Sequence, residues 1–435
     1  MQGTNTDLRM SDPVLIAAVE GGGTSFVVAV AEVYPRRLKD NNNNDHKIRI
    51  LHRAEIDSSH GNPHQTLEEC TSFFQKHKYI RKDGYRALGV GMFGPFGCDP
   101  ERKEEYGTVL PTTPKMNWRG VDVLSPLIAA CECKSKNGKL AVKIDTDVNA
   151  PAVAEYLLEK EKEDRTQPSK KDENQRPKKI SSLAYVTIGT GVGVGLVIHG
   201  QPVHGKMHPE GGHVPVQPLE GDSFAGYSWG GKSRSPFKGI HTVESMTSSV
   251  ALTERLEQLQ RKANEPKTEL NLNRDCLAQI DDDNHELWEH AANALGNLCV
   301  TLALVTSVER IVLGGGVMKR NGLIEKVRRR TRTLLNGYLG ELTDKDLMEW
   351  ITLSRYGSDA GLMGALTLAQ QAIIEDEEEI VDNFVQGGEI PSNSAKKLKQ
   401  TAYGAGLWHG FVLGISAVYV WLTLRSRTGK SSLRR

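Results

Sequence analysis

The sequence predicts an α/β fold of two domains that face each other across a cleft. Three observations lead there. Two glycine-rich turns, "EGGGTS" at 20–25 and "GTGVG" at 189–193, each sit between short apolar runs. A further apolar run ends in two carboxylates, "KIDTDVN" at 143–149, where a helical pattern takes over. Neither turn fits a Rossmann motif or a P-loop, because those lead from a strand into a helix. Here "SFVVAVAEV" follows the first turn, β-branched and strand-like.

The elements follow in order. A strand–turn–strand unit spans 14–34, and the polar insert 35–47 with its asparagine run reads as a surface loop. A third strand follows at 48–57. Leu67, Cys70, Phe73 and Phe74 recur at helical spacing within 64–80. Residues 86–97 read as a buried strand running into a glycine–proline loop. The almost wholly polar stretch 159–181 reads as a solvated excursion off a helix end. Two strands surround the second glycine turn within 182–203. The apolar run 285–309 is interrupted by Asn293, Gly296 and Asn297, and "RIVLGGGVM" follows at once, so it reads as a buried core helix. The strand–glycine pattern thus recurs a third time, at 314–316.

The chain has 435 residues, 38% hydrophobic and 25% charged, enough for two or three domains with sizeable cores. Its net charge of +1 gives no basic field, and no helix-turn-helix pattern precedes residue 14, so no nucleic-acid partner is expected. Six scattered cysteines suggest a reducing compartment. The first residues lack the apolar core of a secretory signal. From Ala402 to Leu424 there is no formally charged side chain. As a helix this run reaches about 34 Å, enough for a bilayer core of ~30 Å. Tyr403, Trp408, Tyr419 and Trp421 lie towards its ends, and lysines and arginines flank it on both sides. A single tail-anchoring span, inserted after translation with residues 1–400 in the cytosol, is the expectation. A buried amphipathic helix is the alternative. The mitochondrial outer membrane, the endoplasmic reticulum and a plastid envelope are the candidate membranes. Gly406, Gly410 and Gly414 recur every four residues, a spacing that suits a homodimer, or simply glycine tolerated in a membrane helix.

Hairpin glycines often mark only a turn. Glu20, followed by the N–H groups and hydroxyls of Gly22, Gly23, Thr24 and Ser25, exceeds what a turn needs and suits phosphate. Gly189, Thr190, Gly191 and Gly193 form the matching set. Two such hairpins across a cleft make the plan of the actin-like (ribonuclease H-like) ATPases, with nucleotide between them. Asp147, at a strand-to-helix junction, is either a helix cap or the acceptor of a hydroxyl proton in phosphoryl transfer. In "HGKMHPEGGH" (204–213), Glu210 and His213 are surface groups, metal ligands or a pair that grips sugar hydroxyls.

Together "VEGGGTSF", "GMFGPFG", "YGTVLPTTPKMNWRG", "DTDVNAPAVAEY", "YVTIGTGVGVG", "HPEGGH", "IVLGGGVM" and "YGSDAGLMGALTLA" resemble the ROK family, and within it the bacterial fructokinases, over about 13–372. The resemblance implies an ATP-dependent hexose kinase using Mg²⁺, with fructose ahead of glucose, mannose or an N-acylhexosamine. Thr146, where the family's glucose kinases commonly have Asn, leans the same way. It implies Asp147 as catalytic base. Gly22, Gly23 and Thr24 would form the first phosphate loop, with Gly189, Thr190, Gly191 and Gly193 the second. It implies Gly314, Gly315 and Gly316 on the adenosine side, and Glu210, His213, Glu244, Lys115 and Trp118 around the sugar. Glu20 and Asp145 would order waters around the metal. The implied domains are 13–147, completed by a return helix near 358–372, and 148–357. A linker (373–400), the span 402–424 and a basic tail (425–435) follow.

Two positions depart from the family. Ser25 stands where lysine or asparagine is usual. Family members also carry cysteines and histidines that complete a structural zinc site with His213, whereas this chain has no cysteine between Cys133 and Cys276. Ser235, Lys238 and the His241–Thr242 pair stand near those positions. His204, His208, His213 and His241 are the substitute set, but four N/S ligands are the usual need and no zinc is expected. Segment 214–243 is then expected to be held by packing around Phe224, Tyr227, Trp229 and Phe237. A non-catalytic sugar sensor on a membrane is the alternative from another class.

Overall fold

A computed structural model describes residues 13–34, 48–132, 139–165, 180–227, 235–262, 274–280 and 282–385. The first region holds β1 (Val14–Gly21), β2 (Ser25–Val33), β3 (Arg49–Asp57), α1 (Pro63–His77), β4 (Tyr85–Met92), α2 (Leu124–Cys131) and β5 (Ala141–Thr146). Next come α3 (Asn149–Arg165), β6 (Leu183–Ile188), β7 (Val192–Ile198), β8 (Gln201–Pro202), α4 (Val243–Thr247) and α5 (Ser249–Lys262). The chain continues through α6 (Glu286–Thr306), β9 (Ile311–Gly314), α7 (Leu323–Leu335), α8 (Asp344–Trp350), β10 (Ile351–Leu353) and α9 (Ala360–Val385).

Two five-stranded sheets form, ordered β3-β2-β1-β4-β5 and β10-β9-β6-β7-β8. They share one plan. In each, an antiparallel glycine hairpin (β1 with β2, β6 with β7) is extended by parallel strands, β4 and β5 in the first sheet and β9 and β10 in the second. This is the actin-like two-sheet architecture.

β1, β2 and β4 are apolar almost throughout because helices cover both faces of the first sheet. Val19, Phe26, Val28 and Leu88 pack on Leu67, Cys70 and Phe74 of α1. Ile16, Ala18, Ala29 and Ala87 pack on Leu362, Ala365, Leu366 and Ala369 of α9. The helix lies so close that a Cβ on Gly89 would stand 2.0 Å from the Ala365 carbonyl oxygen. The second sheet is covered by α4 to α7 on one face and by Ala152, Val153 and Tyr156 of α3 on the other. α6 is a core helix. Its Asn293 donates to the Gln217 carbonyl (2.8 Å) and accepts from Arg330 Nε (2.8 Å). The polar interruptions seen in the sequence are therefore fastenings to neighbouring elements.

Two boundaries differ from expectation. The return helix begins at Ala360 rather than 358, and it does not stop at 372. The first part of the predicted linker, 373–385, continues as α9. Acidic residues do not break a helix, Glu and Ile being tolerated in its interior. Ile373 is buried, and Asp376 and Glu375 pair with Arg86 of β4 and Lys143 of β5. The predicted insert 35–47, most of the excursion 159–181, Trp229, the span 402–424 and the tail 425–435 lie outside the described residues. Among the described residues no helix is long and apolar enough to cross a membrane.

Candidate active site

The two hairpin turns meet. A Cβ on Gly23 would stand 3.7 Å from Thr190 Oγ1. In the first turn Gly22 N–H donates to Ser25 O (3.0 Å), and Lys115 Nζ donates to Gly22 O (2.7 Å). Gly23 and Thr24 at its tip are exposed. In the second turn Gly189 N–H donates to Gly191 O (2.9 Å), and Gly189 O accepts from Ser249 N–H (2.7 Å). Glu244, in the first turn of α4, accepts from Val192 N–H (2.9 Å). Gly191 is packed against that carboxylate, and Gly193 against Val148. Gly315 has φ +89 and backs onto Ile188, the end of β6, which places the 314–316 loop beside the second hairpin.

Asp147 follows β5 directly, and its N–H donates to Met92 O (2.9 Å). The helix-cap role belongs to its neighbour: Thr146 Oγ1 accepts from Asn149 N–H (3.0 Å) at the start of α3. Burial pushes the Asp147 carboxyl up to about 6, against the pull of the Lys115 ammonium. Burial, then the Asp147 charge, pushes Glu20 up to about 7, with Arg53 opposing. The same two causes, followed by Glu244, push Glu210 up to about 7. Burial lowers Lys115 to about 8, and Asp147 acts against that. Asp147 is thus felt by groups from both domains. It can hold or release a proton near neutrality, as a general base requires.

The other candidate groups distribute unevenly. Glu210 stands 3.3 Å from His208 Nδ1 and 3.8 Å from His213 Nε2. His208 Nε2 in turn accepts from Phe96 N–H (3.3 Å), so the 204–213 segment touches the glycine–proline loop of the first domain. Lys115 lies over the Phe93 ring, 3.5 Å from its centroid. Trp118 corrects the sequence reading. It is 3% exposed, stacked on Phe26 at 5.0 Å and edge-on to Phe93 at 5.5 Å, so it props the ring under Lys115 instead of facing a sugar. Asp145 is held by His204 Nε2 (2.9 Å) and Thr146 N–H (2.7 Å), while Glu20 feels the Asp147 charge.

Three contributors escaped the sequence reading. Arg53 of β3 bonds Asp359 (2.8 Å) and lowers the Glu20 pKa. Gly361, at the start of α9, leaves room for Glu20: a Cβ there would lie 2.0 Å from its Oε1. Asp359 and Gly361 sit in the quoted "YGSDAG" motif, which was their signal. Arg53, one arginine in an edge strand, carried none.

The ROK family model matches residues 16–168 and 169–372. The chain belongs to the ROK family. Among its relatives, the fructokinase of Zymomonas mobilis is 31% identical over 363 residues, covering 83% of this chain and 98% of that protein. The fructokinase of Streptococcus mutans is 26% identical over 358 residues, covering 82% and 98%. A solved ROK glucokinase from Streptomyces griseus, in complex with glucose and AMPPNP, shares the fold. Its TM-score is 0.55 at 21% identity, over 83% of this chain and all of that one.

A ROK structural zinc does not fit these residues. His213 Nδ1 is hydrogen-bonded to Ser235 Oγ at 3.1 Å. His204 pairs with Asp145, His208 meets Phe96 and Glu210, and His241 is the sole histidine or cysteine between 214 and 243. Among the described residues no three His, Cys, Asp or Glu side chains are grouped to hold a metal. The packing predicted for segment 214–243 holds only in part. Phe224 is buried, but Phe237 is 60% exposed on a left-handed turn.

Proposed function

We propose that this ROK-family sugar kinase transfers the γ-phosphoryl group of ATP to a hexose, with fructose the preferred acceptor. The observation that carries the reading is Asp147: a carboxylate freed from capping by Thr146, poised near neutrality, beside two glycine hairpins that meet tip to tip. Asp147 orients the sugar's 6-hydroxyl and takes its proton as that oxygen attacks the phosphorus in line. Gly22, Gly23 and Thr24 on one side, and Gly189, Thr190, Gly191 and Gly193 on the other, supply donors to the phosphates. Gly314, Gly315 and Gly316 flank the adenosine. Glu210, His213 and Glu244 bind the remaining hydroxyls. Lys115, the cation beside Asp147, adds charge where phosphate oxygens gather. Glu20 and Asp147, two carboxylates whose charges act on each other, would suit Mg²⁺ bound with ATP, which would neutralise charge on the phosphate oxygens. Asp145, tied to His204, is left as a more distant supporter of that site.

The full chain should be offered fructose, glucose, mannose and N-acetylmannosamine with MgATP, and ADP release followed. The highest kcat/KM is expected with fructose. Preference for another hexose replaces the acceptor and keeps the kinase. No turnover with any sugar, alongside retained sugar binding, leaves the sensor reading standing.

The pH profile checks the base. Asp147 works deprotonated, so kcat/KM should fall as pH drops through about 6 to 7, where Asp147, Glu20 and Glu210 titrate as a coupled set. A rate unchanged down to pH 5 contradicts the assignment.

Residues 402–424 we propose as a tail anchor, on their length, uncharged character and basic flanks. The mitochondrial outer membrane is the first choice. A fluorescent fusion to residues 390–435 tests this, and a diffuse signal removes the anchor.

A further inference from the structure

Segment 214–243 joins Glu210 and His213 to Glu244. Its two ends are zipped together: Val216 N–H donates to His241 O (2.7 Å), and Val243 N–H to Val214 O (3.0 Å). Between the ends, the segment is fastened by a buried ion cluster. Arg255 of α5, 1% exposed, donates Nη1 to Asp222 Oδ1 and Nη2 to Asp222 Oδ2, each at 2.9 Å. His290 of α6 reaches the same carboxylate from the other side, Nδ1 to Oδ2 at 3.2 Å. Asp222 Oδ1 also accepts from Phe224 N–H (3.0 Å), and the guanidinium lies over the Phe224 ring, 4.4 Å from its centroid. Arg255 Nη2 further meets Met246 Sδ (3.8 Å) on α4, the helix that carries Glu244.

One arginine thus ties the loop to the helix bearing a candidate sugar ligand. A planar, two-pronged pair fixes direction as well as distance, which apolar packing alone does not. Such a pair is a costly way to gain stability, since a buried ion pair often equals or falls below an apolar substitute. Its distinctive contribution is geometry.

We propose that the Asp222–Arg255–His290 cluster fixes the geometry of the sugar site from outside it, fastening residues 222–224 to α4, α5 and α6. Asp222 and Arg255 are positioning residues that hold the sugar-contacting groups in register across segment 214–243. The proposal rests on the reading of Glu210, His213 and Glu244 as sugar ligands.

The test uses the full chain, Asp222→Asn, and the paired Asp222→Leu with Arg255→Met. Asp222→Asn is expected to raise KM for fructose about tenfold or more, with KM for ATP little changed. It should also speed tryptic cleavage at Lys238. The paired variant removes both charges. It should recover most of the thermal stability lost in Asp222→Asn while KM for fructose stays high. A fructose KM unmoved in Asp222→Asn overturns the proposal. So does recovery of both stability and fructose KM in the paired variant. Stoichiometric zinc in the wild-type protein, whose removal raises the fructose KM, overturns it as well. Should the wild type phosphorylate no sugar, the proposed function fails. The cleavage rates then decide whether the Asp222–Arg255–His290 cluster fastens the loop: unchanged cleavage in Asp222→Asn overturns it, and faster cleavage upholds it.

Discussion

Asp147→Asn is expected to lower kcat for hexose phosphorylation by roughly two to four orders of magnitude, the range of a lost general base. KM for the sugar should stay near the wild-type value. Asn keeps the size and the backbone N–H bond to Met92 O, so the start of α3 is undisturbed. It removes the proton acceptor, and it also removes the negative charge that Glu20, Glu210 and Lys115 feel. Without that charge the two glutamates titrate lower and Lys115 loses its proton at lower pH. The residual activity of the variant should therefore show an acid limb moved to lower pH. Initial rates and calorimetric sugar binding, measured across pH, check both parts. Turnover close to wild type would remove Asp147 from the chemistry.

Gly195→Ala is expected to be strongly damaging to both stability and rate. A Cβ on Gly195 would stand 2.0 Å from Val148 O, 2.4 Å from Val148 C and 2.8 Å from Asn149 N. All three are backbone atoms, so no rotamer change relieves the clash. β7 or the first turn of α3 must shift. Overpacking of this kind costs about 1–3 kcal/mol, a fall in Tm of roughly 2–4 °C per kcal/mol in a domain of this size. Val148 follows Asp147, so the carboxylate moves too. A displacement of about 1 Å at a reacting group is enough to lose ~100-fold in rate. Gly316→Ala is the control. Nothing lies within 4 Å of its Cβ position, and its φ of −63 suits alanine. Its Tm should be unchanged, so any rise in its KM for ATP reports the nucleotide directly. Differential scanning calorimetry with steady-state rates separates the two variants, and equal Tm values for both would contradict the packing argument.

Much of the fold was legible because its strands announce themselves. β1, β2, β6 and β7 are β-branched runs bounded by glycine, and the periodicity of α1 and α6 is plain. The end of α9 was misread because a run of acidic residues looks like a linker. Only Arg86 and Lys143, distant in the chain, reveal that those carboxylates dock on a sheet. Within the site, Asp147 and the hairpin glycines stood out as chemistry at chain turns. The capping bond of Thr146 did not, because a Thr and an Asp side by side offer the same local signal. Trp118 was misplaced for a related reason: one loop sends Lys115 to Gly22 and its tryptophan into the core. Arg255 and Asp222 lie far apart in sequence, and no spacing rule connects them.

α9 has a consequence for synthesis. The ribosome makes β1, β2, β4 and β5 within about the first third of the chain, yet among the described residues one face of that sheet is covered by a helix that begins only at Ala360. Until Leu362, Ala365, Leu366 and Ala369 emerge, Ile16, Ala18 and Ala29 have, among the described residues, only neighbours from their own sheet on that face. The second sheet with α3 to α7 has all its parts earlier. Folding during translation therefore favours completion of the later-made domain first. The earlier-made half must wait in a form that chaperones would recognise.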